Sequence, residues 1–259
     1  MRIAVTGANG YVGKHVVTAL LDRNVEVVAV DVASNNIDRR AEVIETDIFS
    51  GDRTMFATLG RPDACIHLAW KDGFIHNSPS HMSNLSAHYR FVSDLVNDGL
   101  KQIAIMGTMH EVGYYEGVIN EDTPCNPRSM YGIAKDSLRR SVFLLTEGLS
   151  TAVQWLRAFY IYGDDKYNHS IFTKLIQAAE EGKKTFPFNS GKNKYDFIHV
   201  KELSKMIALT AMQCDVTGII NCCTGIPISL AEKVQMFIDE NNLNIQLDYG
   251  RFPDRPYDS

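Results

Sequence analysis

The sequence predicts an α/β fold organised around a doubly wound parallel sheet, with a smaller lobe assembled from its later segments. Three observations carry this. Apolar runs suited to strands alternate with segments of helical spacing through the first 160 residues. The runs are continuously apolar, as strands covered on both faces of a parallel sheet are. A glycine-rich stretch, TGANGYVG, falls at the first strand–helix junction.

The elements follow in order. RIAVT (2–6) reads as a buried strand, and 11–21 as a helix with Val12, Val16, Val17, Leu20 and Leu21 on one side. VEVVAVD (25–31), EVIETD (42–47) and ACIHLAW (64–70) are the next three strands. A helix over 84–98 follows, opened by Asn84 as its cap, then the strand QIAIMG (102–107). Residues from 130 onward run to Gly148 without Gly or Pro after Gly132 and predict a helix; TAVQWLRAF (151–159) is a strand. Beyond residue 160 the rhythm loosens. YGDDKYNHS and FPFNSGKNKYD read as loops, helices fit 170–182, 200–213 and 229–241, and GIINCCT (218–224) reads as a strand returning to the sheet. The expected organisation is a dinucleotide-binding unit, 1–160 with 196–224 returning to it, and a substrate-binding lobe from 161–195 and 225–259.

Composition narrows the function. The net charge is −5 and no block of Lys and Arg stands out, which disfavours a nucleic-acid partner. Apolar runs are too short for a membrane helix, and the chain enters a strand at once, so no signal peptide is expected. Five cysteines, Cys65, Cys125, Cys214, Cys222 and Cys223, form no CxxC pair; reduced thiols in the cytoplasm are the simplest reading. Cys222 and Cys223 are adjacent on a strand and should face opposite ways. The eight histidines show no ligand spacing, so no metal is expected.

Three stretches carry chemistry. Gly7, Gly10 and Gly13 make a G-x-x-G-x-x-G spacing, a variant of the Rossmann dinucleotide fingerprint. Gly7 permits the tight turn, Gly10 lets a pyrophosphate approach the backbone, and Gly13 lets helix and strand pack closely. Asn9, Tyr11 and Val12 complete this loop, whose helix end offers N–H groups to phosphate. Asp31 ends the second strand where a ribose-binding carboxylate is expected, which favours NAD over NADP, although NADP stays open. Asp47 and Ile48 follow the third strand, where an adenine edge could rest. Tyr131 and Lys135 stand one helical turn apart, so a phenol and an ammonium share one face. Such a charge lowers a phenol's pKa toward the range of a general acid or base. The same pair is also common on plain helix surfaces.

TGANGYVG, HLAW (67–70), GTMHEVG (107–113), YGIAK (131–135), LRAFYIYG (156–163) and YDFIHV (195–200) together resemble the extended short-chain dehydrogenase/reductase family. The resemblance is to its NAD-dependent epimerase/dehydratase group, which acts on nucleotide sugars. It implies Tyr131 as the acid/base, titrating well below a free phenol. Lys135 would lower the phenol's pKa and hold the nicotinamide ribose, and Thr108 would share the substrate oxygen. It further implies that Leu68, Ala69 and Trp70 line the cofactor pocket, that the helices at 84–98 and around Tyr131 pair with a second subunit as a homodimer, and that relatives continue past the RPYDS end.

Departures from the family pattern bear on the reaction. Met109 and His110 follow Thr108 where dehydratases carry an Asp–Glu pair, and Glu111 comes one place late, which disfavours dehydration. Tyr160 and Tyr195 stand where the family has Asn and Arg. His110, Tyr160, Asn168 and Arg255, the last in an RPYD that resembles the family's RPGD, are the candidate substrate contacts; Lys174, Lys192, Asn193 and Lys194 are weaker ones. The favoured activity is reduction of a 4-keto-6-deoxy nucleotide sugar, with Tyr131 as proton donor. A nucleotide-sugar 4-epimerase is the alternative; a dehydratase and a non-catalytic NAD-binding regulator are weaker readings.

Overall fold

The computed structural model describes residues 1–163 and 170–255. The chain runs β1 (Arg2–Thr6), α1 (Gly13–Leu21), β2 (Glu26–Asp31), β3 (Glu42–Glu45), α2 (Met55–Thr58), β4 (Ala64–His67), α3 (Ser80–Ser83), α4 (Leu85–Asn97) and β5 (Gln102–Thr108). After a 3₁₀ turn at Met109–Glu111 come α5 (Met130–Leu145), β6 (Ala152–Ala158), β7 (Tyr160–Tyr162), α6 (Ile171–Glu180), β8 (Thr185–Pro187) and β9 (Lys194–His199). The last elements are α7 (Val200–Ala211), β10 (Gly218–Cys222), β11 (Pro227–Ser229), α8 (Leu230–Glu240) and β12 (Gln246–Asp248).

Among the described residues the main sheet has seven strands in the order β10-β6-β5-β4-β1-β2-β3, all parallel. The order reverses between β1 and β4, and ligands of such sheets bind beyond the strand ends at that switch point. Alternate strand residues face opposite layers. Ile3, Val5, Val27, Ala29 and Ile66 pack with α1 and α7. Ala4, Val28, Val30, Cys65, Ile103 and Ile105 pack with α4 and α5. A third core joins Phe172 and Leu175 of α6, Tyr195 and Phe197 of β9, and Val234 and Ile238 of α8.

The predicted strands and long helices are present, with ends shifted by a few residues. Two loop-like stretches are in part strands. β7 pairs with β9, β9 with β11, and β8 with β12, forming two small sheets beside the main one. Asn84 also departs from expectation. It lies in helical conformation between α3 and α4 and its side chain makes no cap hydrogen bond, because α3 already delivers the chain into α4. Cys222 ends β10 and is buried, while Cys223 follows the strand in a bend and is half-buried, so the expectation of two opposite strand faces holds for Cys222 alone. Burial pushes the Cys65 and Cys222 thiols up to about 12, so both are packing groups at neutral pH.

Candidate active site

The glycine loop sits at the switch point. Gly7 has φ +71°, and a Cβ there would lie 2.6 Å from the Ala69 nitrogen, so the turn after β1 and the segment after β4 meet without room for a side chain. A Cβ on Gly13 would come within 2.0 Å of the Gly7 carbonyl oxygen. Around Gly10 the nearest obstruction to a Cβ is that same oxygen at 3.1 Å, which leaves the backbone approachable. Helix α1 begins here with no side-chain cap and no acidic residue in its first turn. That is the donor set and potential a pyrophosphate requires.

Asp31 closes the loop from the end of β2. Its carboxylate accepts the Asn9 N–H at 3.0 Å and the Val32 N–H at 2.8 Å. The Asn9 side chain in turn accepts from the Asn36 N–H at 2.8 Å and donates to Asn35 Oδ1 at 3.1 Å. Tyr11 donates to the Gly163 carbonyl at 2.5 Å, tying the loop to the end of β7. Asp47 is exposed and accepts the Phe49 N–H at 2.9 Å, a turn contact. Ile48, Leu68, Ala69 and Trp70 are partly buried beside the crevice.

The candidate reactive groups come from β5 and α5. Ser129 caps α5 by accepting the Gly132 N–H at 3.1 Å. The next helix N–H groups reach back to the 71–79 segment: Met130 to Asn77 Oδ1 and Tyr131 to the His76 carbonyl at 2.9 Å. A Cβ on Gly132 would lie 2.4 Å from the His110 carbonyl oxygen, so glycine lets α5 press against the 3₁₀ turn. Thr108 starts that turn, accepting the His110 N–H, and its hydroxyl acts on the nearby Tyr131 phenol, favouring the ionised form. Lys135 lies one turn along, its Nζ donating to the Met106 carbonyl at 2.6 Å and sitting 6.0 Å from the Tyr131 ring centre.

The expected low titration of Tyr131 is not what the structure shows. Burial pushes the phenol above its ordinary value; the Thr108 hydroxyl opposes this, and the Glu111 charge adds to it. The Lys135 ammonium is turned toward the Met106 carbonyl and does not offset that burial. Burial in turn pushes Lys135 down to about 7, with Glu111 opposing.

The wall carrying the candidate substrate contacts is aromatic. His76 stacks on Tyr131 at 5.7 Å and lies 4.3 Å from His110, whose ring stands 6.0 Å from Tyr160. Tyr160 packs on Tyr195 at 3.9 Å. The two positions that depart from the family pattern are therefore in contact. Burial, with the Arg255 charge adding to it, lowers His110 to about 4, which puts Arg255 within electrostatic reach of this wall. Asn168 lies outside the described residues. Lys174, Lys192 and Lys194 are exposed. Glu111 is fully buried and turned away from the crevice; it accepts the Thr108 N–H at 2.7 Å and the Trp155 indole N–H at 2.9 Å, with Arg157 3.5 Å away.

Residues 3–223 match the model of the NAD dependent epimerase/dehydratase family. The chain belongs to that family. A dTDP-6-deoxy-L-talose 4-dehydrogenase (NAD(+)) of Aggregatibacter actinomycetemcomitans is 44% identical over 266 residues, spanning 100% of this chain and 97% of that protein. Among solved structures, the NAD complex of the UDP-glucose 4-epimerase from Thermus thermophilus superposes with a TM-score of 0.86 at 19% identity, covering 100% of this chain and 88% of that one. MoeE5 in complex with UDP-glucose and NAD gives 0.82 at 25% identity, covering 98% and 87%.

For a member of this family, the unforeseen feature is the histidines. His67, His76, His81, His88 and His110 converge around Trp70 and Tyr131. The sequence carried no spacing signal for this, because the five come from a strand end, a connecting segment, two helices and a turn. His67 bridges Thr6 Oγ1 at 2.7 Å and His88 Nδ1 at 3.0 Å.

Proposed function

We propose that the protein reduces the 4-keto group of a 4-keto-6-deoxy nucleotide sugar, with Tyr131 giving the proton to the C4 oxygen. The observation that carries this is geometric: α5 presses against the turn that starts at Thr108 and sets the Tyr131 phenol at the crevice with the Lys135 Nζ 6.0 Å from its ring centre, and burial favours the protonated phenol. A reductase needs that form to meet a carbonyl. NADH, when bound, supplies the hydride that makes C4 a secondary alcohol carbon. Gly7, Gly10, Gly13 and Asp31 hold the cofactor; Thr108 orients the oxygen, and Lys135 holds positive charge beside it. The similarity to a 6-deoxy nucleotide-sugar 4-dehydrogenase supports the reading, since that named reaction is the reverse of this one. Glu111, locked against Trp155, has no route to a sugar and leaves dehydration without its second group.

His110 and Tyr160 line the sugar, and Arg255 meets the diphosphate. The chain divides functionally into 1–160 with 196–224, which carries the cofactor, and the lobe from 161–195 and 225–259, which carries the nucleotide. A homodimer covers the exposed apolar side chains Tyr89 on α4 and Met130, Ile133 and Leu144 on α5. No helix among the described residues is long and apolar enough to cross a membrane. The free cysteines suit the reducing cytoplasm.

The test is to mix the protein with NADH and a dTDP-4-keto-6-deoxy sugar and follow the absorbance of reduced nicotinamide. One NADH lost per alcohol formed supports the reading. Interconversion of C4 epimers with no net loss of NADH would replace it with epimerisation. Firm NAD binding with no turnover of any sugar nucleotide would leave only a binding protein.

A further inference from the structure

The Lys135 ammonium is buried, and among the described residues no carboxylate forms an ion pair with it. A buried charge with no counter-ion needs another source of stabilisation. Here there are two: the Met106 carbonyl, 2.6 Å from Nζ, and the indole face of Trp70, with Nζ 3.7 Å from the ring centre.

Trp70 is itself fixed. Its Nε1 donates to His81 Nδ1 at 3.0 Å, which leaves His81 Nε2 to donate to the Ile75 carbonyl at 2.9 Å. His88 stacks on the indole at 4.1 Å with 19° between the planes, and the indole edge approaches Tyr131 at 6.1 Å. We propose that Trp70 is a positioning residue for the reaction, its indole clamped by His81 and His88 so that it carries the Lys135 ammonium beside Tyr131. The proposal rests on the reductase reading above.

The choice of an aromatic face has a physical consequence. A carboxylate in contact with Lys135 would neutralise the ammonium. An indole stabilises the cation and leaves its charge in place. The titratable groups around Lys135 do not compete for that role. His67 of β4 and His88 of α4 are neutral, lowered by burial to about 3 and about 2. His81 of α3 is committed to Trp70 and Ile75. Glu111 of the 3₁₀ turn acts at a distance and is itself occupied by Thr108 and Trp155. On α5, Asp136 is paired with Arg139 and Arg140.

The experiment is the pH profile of kcat/KM for NADH-dependent reduction. Reduction uses charged Lys135 and protonated Tyr131, so activity falls on the alkaline side as Lys135 loses its proton. Trp70→Leu removes the face that favours the cation, so the alkaline limb moves to lower pH, by on the order of one unit. Trp70→Phe keeps a π face and moves it by less than half as much. His81→Asn unclamps the indole and shifts the limb in the same direction as Trp70→Leu. If Trp70→Leu does not fold, Trp70→Phe and His81→Asn still decide. An unmoved limb with a uniform loss of rate, or a Phe variant shifted as far as Leu, would reduce Trp70 to a packing residue. Wild-type protein that turns over no 4-keto sugar would instead condemn the reductase reading itself.

Discussion

At the scale of single residues, the proposed function rests on one carboxylate, for cofactor choice, and one phenol, for the proton. The Asp31 carboxylate is aimed by two backbone N–H groups, from Asn9 and Val32, at the place where the adenosine ribose of a dinucleotide would lie. Replacing it with Ala removes both the acceptor for ribose hydroxyls and the repulsion of a 2′-phosphate. The ratio of NADP to NAD dissociation constants should therefore shrink, as measured by fluorescence titration of each cofactor; an unchanged ratio would release Asp31 from this role. Tyr131→Phe deletes only the proton-carrying oxygen. Turnover should drop by about 10²–10⁴ or more while the NAD dissociation constant stays within about twofold. Retained turnover would move the proton donor elsewhere. The spacing of Tyr131 and Lys135 was legible in the sequence, but their charge states were not. Both are set by burial, and burial depends on Trp70 and the 71–79 segment closing over them.

At the scale of elements, close backbone approach decides where the site can form. Helix α5 reaches the 3₁₀ turn only because residue 132 has no Cβ, and α1 reaches β1 only because residue 13 has none. Gly132→Ala should cost about 1–3 kcal/mol of stability and separate Tyr131 from Thr108, so that urea midpoint and kcat fall together. A variant of wild-type stability would show that the turn yields freely. The elements that the sequence revealed are those with enough length for a pattern, such as β1, β2, β5 and α4. Those it hid include β7, β8, β11 and β12, of three residues each, too short to display a period of two, and the six-residue β9, whose first half fell in the stretch read as loop. Pro187 ends β8 and Pro227 starts β11, positions in strands of small sheets where a missing N–H is tolerated. Asn84 misled for a related reason: a good capping residue is not needed where one short helix hands directly to the next.

At the scale of the whole molecule, buried neutral histidines make the fold sensitive to acid. His67 and His88 share one ring-to-ring hydrogen bond, and protonating both would set two N–H groups against each other. Their pKa values are depressed by burial to about 3 and about 2, well below the unfolded value. The unfolded chain therefore takes up protons below about pH 6.5 while the native chain does not, and stability is lost as pH falls through that range. The slope should approach about 1.4 kcal/mol per pH unit for each of the two. Urea unfolding at pH 7.5, 6.5 and 5.5 should show a loss of about 2 kcal/mol over the last step. A flat profile would mean that one or both imidazoles charge without disturbing the core. This convergence was invisible in the sequence, where the five histidines span residues 67 to 110 with no common spacing. The dinucleotide loop was legible because its chemistry is local.

The most direct test follows the hydride. The protein is supplied with NADH carrying deuterium at C4 of the nicotinamide, on the face it transfers, together with a dTDP-4-keto-6-deoxy sugar, and the product is read by NMR and mass spectrometry. One deuterium at sugar C4 per NADH oxidised, lost with Tyr131→Phe, is the predicted result. Product alcohol with no deuterium at C4, or full labelling that survives Tyr131→Phe, would contradict the account.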